Sequence, residues 1–204
     1  ASGSLESTKQ PLTDNQEKLH GHVVVAGFGL NGSNLARVLK ETGIKYVVTE
    51  LNPDTVKREK AKGEKIIYGD ISKEEILKAI NVDKASIIVY AISDPAVTRM
   101  SLQLVKKINP HIYALVRTRY VTEVDELIKL GADDVIPEEF ETALQIFRKV
   151  LERYHIPLNV IMKQTTLLRE ESYSFLRKEG VDISSFTHLD EILAQGLTET
   201  YYVN

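Results

Sequence analysis

With 204 residues the chain has room for one domain of ordinary size plus an appendage, or for two small ones. Hydrophobic residues at 43% and charged residues at 27% exclude a disordered chain, and 26 basic against 29 acidic residues, a net charge of −3, exclude a general nucleic-acid binder. The lack of cysteine excludes a disulfide framework and a thiolate zinc site.

Residues 1–19 are polar and aperiodic. They lack the apolar centre of a secretory signal and read as a linker or tag. No apolar run in the chain reaches the ~20 residues needed to cross a bilayer. Regular structure begins at His22, where Val23, Val24, Val25 and Ala26 form a continuous apolar run of the kind buried on both faces of a parallel sheet. Strands are predicted at 22–26, 45–50, 65–69, 85–91, 112–116 and 133–136, with helices near 31–42, 53–62, 73–80, 95–108 and 119–130. Pro53 and Pro95 sit where helices begin, and Asn52 and Asp94 are placed to cap them. Gly43, Gly63 and Gly131 follow helical stretches. This alternation predicts an α/β fold, a Rossmann-like doubly wound parallel sheet of about six strands with helices on both faces.

After Pro137 the alternation stops. Phe140, Ala143, Leu144, Phe147, Val150, Leu151 and Tyr154 recur at helical spacing on one face. Pro157 breaks that helix, a second one is predicted from about Leu158 to Lys178, and Gly180 ends it. Residues 188–197 are read as a short helix and Thr198 to Val203 as a strand. The division expected is therefore 1–19 linker or tag, 20–137 Rossmann domain and 138–204 helical extension, stopping before a further domain.

The sharpest motif is Gly27-Phe28-Gly29-Leu30-Asn31-Gly32, which follows a strand and opens a helix. Gly27 permits the tight turn, Gly29 lets the backbone approach a pyrophosphate, and Gly32 lets the helix pack on the strand. Amides at the helix start, aided by its dipole, favour an anion. Glu50 ends the second strand 18 residues after Gly32, where a carboxylate accepts ribose hydroxyls and repels a 2′-phosphate, favouring NAD or an adenosine nucleotide over NADP. Leu51 and Asn52 follow it. Asp70 and Ile71, after the third strand, are placed to meet the adenine or its ribose, and Asp70 is equally a cap for the helix at 73–80. Ala91 and Ile92, after the fourth strand, flank the centre of a dinucleotide. Arg117, read as following the fifth strand, is assigned to phosphate because the glycine loop has no basic side chain. Its alternative is a surface ion pair with Glu123 or Asp125, as for Arg119.

Catalytic equipment is not evident. None of His20, His22, His111, His155 and His188 falls at a carboxyl strand end, and there is no Tyr-x-x-x-Lys pair, no P-loop and no His-Glu-x-x-His. The residues describe a binding module, not an enzyme. A small NAD-dependent oxidoreductase is the alternative reading, and a methyltransferase a more distant one.

Further stretches are Thr49-Glu50-Leu51-Asn52-Pro53, Tyr68-Gly69-Asp70, Val89-Tyr90-Ala91-Ile92-Ser93-Asp94 and Val116-Arg117-Thr118-Arg119-Tyr120. With the glycine loop they resemble a regulator-of-potassium-conductance domain (RCK, also called KTN or TrkA-N) over roughly residues 21–180. The run from Leu130 to Thr142 is similar to the cytoplasmic tail of Kef-type cation/proton antiporters. The resemblance implies a regulatory domain that binds AMP, NAD(H), ADP or ATP in the Rossmann crevice and controls a membrane cation transporter, fused or separate. It further implies a place on the cytoplasmic face of the membrane and pairing as a homodimer or higher homo-oligomer through the helices after the sixth strand. The polar start favours fusion. The chain departs from many relatives in having Leu30, Asn31 and Ser33 where they carry a basic residue.

Overall fold

The computed structural model describes residues 19–176 of the chain. The expected helix at 188–197, the strand at 198–203 and most of the leading linker lie outside the described residues. Six strands make one parallel sheet: β1 (Val23–Ala26), β2 (Tyr46–Glu50), β3 (Ile66–Tyr68), β4 (Ile87–Tyr90), β5 (Tyr113–Thr118) and β6 (Asp134–Pro137). Their order across the sheet is β3-β2-β1-β4-β5-β6. Consecutive parallel strands need a crossover, and here each is helical. The crossovers are α1 (Leu30–Glu41), α2 (Pro53–Ala61), α3 (Glu74–Ala79), α4 (Pro95–Ile108) and α5 (Val124–Lys129). Beyond β6 follow α6 (Glu138–Arg153) and α7 (Leu158–Leu176).

The apolar runs become the core because both sheet faces are covered. On one face Val23, Val25, Tyr46, Val48 and Ile66 pack against Ala36 and Leu39 of α1 and Val56 of α2. On the other, Val24, Ala26, Ile88, Ala114, Val116 and Val135 pack against Leu77 of α3, Leu102 and Val105 of α4 and Leu127 of α5. Burying each such side chain contributes about 1.5–3 kcal/mol. Asn52 and Asp94 cap as expected: each side chain accepts from two amides, Asp54 and Thr55 for α2, Ala96 and Val97 for α4. Gly43, Gly63 and Gly131 all take positive φ.

Two boundaries and one burial pattern differ most from the sequence reading. β5 continues to Thr118, so Arg117 lies within the strand. The segment 119–130 is not one helix but a 3₁₀ turn, Val121–Glu123, followed by α5. On α6 the expected apolar stripe is divided: Leu144 is buried, while Val150 and Tyr154 are 50% and 76% exposed and align with Ile146, 62% exposed, one helical turn apart.

Register positions the functional edge. Ala26 pairs with Thr49 on one side and Tyr90 on the other. The carboxyl ends of β2, β1 and β4 are therefore level, and the loops that follow them meet.

Candidate functional site

At that edge lies a cleft of about 260 Å³ lined by Gly27, Gly29, Thr49, Glu50, Leu51, Gly69, Ile71, Ala91, Ile92, Ser93, Asp94 and Val97. It joins seven of the residues expected from sequence: Gly27, Gly29, Glu50, Leu51, Ile71, Ala91 and Ile92. Phe28, Leu30, Gly32, Asn52 and Asp70 surround it without lining it, and Asn31 and Arg117 line a neighbouring cavity of about 640 Å³ between α1, α6 and the sheet.

The glycines act in three ways. Gly27 holds φ +97°, and a Cβ there would press on Ile92. At Gly32 a Cβ would overlap the carbonyl oxygen of Gly27. The close approach is thus to the preceding turn, with Ala91 nearby, more than to a strand. At Gly29 a Cβ would meet nothing, so this position opens onto free space above the start of α1.

That helix start is electrostatically incomplete. Gly29 is its cap residue and has no side chain to accept the first amides, and the first turn holds no acid. α2 and α4 have capping side chains, and α3, α5 and α6 carry Asp or Glu in the first turn. Among α1 to α6, then, α1 alone has neither a capping side chain nor a first-turn acid to meet the positive end of its dipole.

Glu50 faces this opening. One carboxylate oxygen accepts the Phe28 amide at 2.7 Å; the other accepts the amides of Leu51 and Asn52 at 2.9 and 2.8 Å. The carboxylate ties the glycine loop to the end of β2. Its first oxygen still has acceptor capacity for an outside hydroxyl. The apolar wall of Ile71, Ile92 and Val97 is suited to a flat ring.

Asp70 does not cap α3. Its carboxylate accepts the Ser72 amide at 2.9 Å and the Ser72 hydroxyl at 2.7 Å, and the cap position falls to Lys73. These bonds outweigh burial and hold the Asp70 carboxyl below its usual range, though burial itself pushes it up and is the largest single influence. The alternative reading of Arg117, a surface ion pair with Glu123 or Asp125, gives way to a different partner. Alternation in β5 sends Thr118 towards Glu123, which also binds Arg99, and Arg117 pairs with Glu138.

The sequence reading missed Thr49, Gly69, Ser93, Asp94 and Val97 as cleft residues. Asp94 was assigned only to its cap, although it follows the strand adjoining β1. Among the described residues no group of three or more His, Asp or Glu side chains is arranged to hold a metal. His22 is buried at the opposite end of β1, where Nε2 donates to the Ile80 carbonyl at 2.9 Å.

A putative K(+) efflux antiporter KefB from Alkalimonas amylolytica is 28% identical over 178 residues, which cover 87% of this chain and 27% of that protein. The chain spans about a quarter of the length of the curated relatives it matches. The solved Kef C-terminal domain of Shewanella denitrificans in AMP-bound form superposes with a TM-score of 0.68 at 21% identity, covering 76% of this chain and 95% of that one. The GsuK channel bound to NAD superposes with a TM-score of 0.56 at 21% identity, covering 64% of this chain and 24% of that one. At these identities the two structures show a shared fold. The family profile of the TrkA-N domain matches residues 23–138, the sheet with its glycine loop and the first residue of α6, and the chain belongs to that family.

Proposed function

We propose that the chain is the nucleotide-sensing regulatory part of a potassium-efflux antiporter, acting on the cytoplasmic side of the membrane and pairing as a homodimer. Its ligand is an adenine nucleotide, AMP or NAD(H) before ADP or ATP, and it is bound without being chemically changed. The observation that carries this reading is the open, uncapped start of α1 facing the Glu50 carboxylate across one cleft. Phosphate completes the α1 amides, a ribose hydroxyl donates to Glu50, and the adenine lies against Ile71, Ile92 and Val97.

The relatives support the biological setting. KefB is named for potassium efflux, and the two structural neighbours hold AMP and NAD. Transport itself is assigned to a membrane domain, fused or separate; no helix among the described residues is long and apolar enough to cross a membrane. The nucleotide regulates only if it binds one arrangement of the dimer better than another, since equal affinity shifts nothing.

Thermal unfolding with AMP, ADP, ATP, NAD, NADH and S-adenosylmethionine tests the reading. AMP and NAD at a hundred times their dissociation constants should add about 2.7 kcal/mol of stability. A shift with S-adenosylmethionine alone would move the assignment to a methyltransferase, and NADH turnover to an oxidoreductase. No shift with any adenine nucleotide removes the proposal.

A further inference from the structure

Arg117 and Glu138 meet just behind the cleft. The Arg117 Nε donates to the Glu138 carboxylate, and its Nη1 donates to the Ser93 hydroxyl at 3.1 Å and the Ile92 carbonyl at 3.4 Å. Ile92 and Ser93 are themselves cleft residues. The guanidinium also lines a cavity of about 510 Å³ that adjoins the cleft through Ile92, Ser93 and Asp94, and its charge is already matched by a carboxylate.

That carboxylate is unusually connected. Glu138 opens α6, the helix that leaves the sheet. It is also approached by the side chain of Asn31, in the uncapped first turn of α1. Hydrogen bonding from Arg117 holds its carboxyl below the ordinary range, so it is an anion at neutral pH. A fixed negative charge thus stands beside the helix start to which a phosphate is drawn.

We propose that Glu138 sets how many phosphate charges the site accepts, because a ligand phosphate at the start of α1 has to take the Arg117 guanidinium from it. This rests on the nucleotide reading above. Repulsion between Glu138 and the ligand grows with each phosphate charge, so the native pair favours AMP and the two singly charged phosphates of NAD over ADP and ATP. When the phosphate engages Arg117, Glu138 loses its partner and the first turn of α6 loosens. Glu138 is a specificity residue that also carries occupancy into the helix beyond the sheet.

The test is a calorimetric ladder of adenosine, AMP, ADP and ATP on the whole chain and on Glu138→Gln. The variant should leave adenosine within about 2-fold, tighten AMP about 3-fold and tighten ATP about 10-fold or more, as expected for removal of a like charge at short range. Hydrogen exchange of the amides at 138–141 should rise on ADP binding in the native chain and be already raised in the variant. Arg117→Met gives the independent check: with no guanidinium to contest, hydrogen exchange at 138–141 no longer responds to ADP. Equal gains for adenosine and ATP, or no gains, would overturn the role of Glu138 while leaving the nucleotide site standing. A persistent ADP response in Arg117→Met does the same. A native chain that binds none of the four, adenosine included, overturns the nucleotide reading and this inference together.

Discussion

Gly29 and Gly32, three residues apart, are glycines for opposite reasons, and substitution separates them. Gly29 has ordinary backbone angles and open space where a Cβ would be. Gly29→Ala should fold with stability unchanged or raised by up to about 1 kcal/mol through a stiffer unfolded chain, yet bind AMP at least about 10-fold more weakly, because the methyl fills the approach to the α1 amides. Gly32→Ala should lose about 1–3 kcal/mol, since the methyl collides with backbone that cannot step aside. Urea denaturation and calorimetry on both variants check the pair; a Gly29→Ala chain that binds normally would detach the glycine loop from the ligand. The motif spacing made Gly27 and Gly29 legible in the sequence. It did not show that Gly32 abuts the Gly27 carbonyl, because that contact depends on how sharply the turn folds back. Nor did it show that Glu50 collects three amides, only that a carboxylate belonged there.

Among the elements, the strands were legible because parallel strands buried on two faces are written as unbroken apolar runs. Helix starts were legible at Asn52-Pro53 and Asp94-Pro95, where a capping side chain precedes a residue with no amide to satisfy. The Arg117–Glu138 pair was not legible. It spans 21 residues and depends on β5 extending to Thr118 and on the pairing of Arg117 with Ile136. The base of β1 carries a second unannounced feature. His22 is fully buried, its Nδ1 has no partner among the described residues, and burial lowers its pKa; the Ile80 carbonyl and Asp83 oppose that shift and His20 adds to it. A histidine that binds its proton less readily when folded stabilises the fold fully above its unfolded pKa of about 6.5, and that contribution declines as pH falls. Urea unfolding should therefore show a loss of stability between pH 7.5 and 5.5, at no more than about 1.4 kcal/mol per pH unit for one proton. His22→Asn should flatten this dependence. An equal slope in the variant would place the proton elsewhere.

At the scale of the whole molecule, α6 is the element whose surroundings are incomplete. Ile146, Val150 and Tyr154 make a continuous exposed apolar stripe along it, and α7 adds Leu158 and Met162, 55% and 61% exposed. A second copy of the chain is the occupant expected from the proposed dimer. Val150→Asp should convert the dimer to a monomer in light scattering with the circular dichroism spectrum unchanged; an unaltered mass would place the interface on another surface. In relatives as long as the antiporter of which this chain spans about a quarter, bulk signals report ligand occupancy poorly. The 2.7 Å bond from the Phe28 amide to a carboxylate offers a local one. A proton held that closely by a charged acceptor is strongly deshielded, so its resonance should stand in an uncrowded downfield region of the spectrum. It should shift upfield when a sugar draws Glu50 away, which makes a single backbone proton a gauge of saturation.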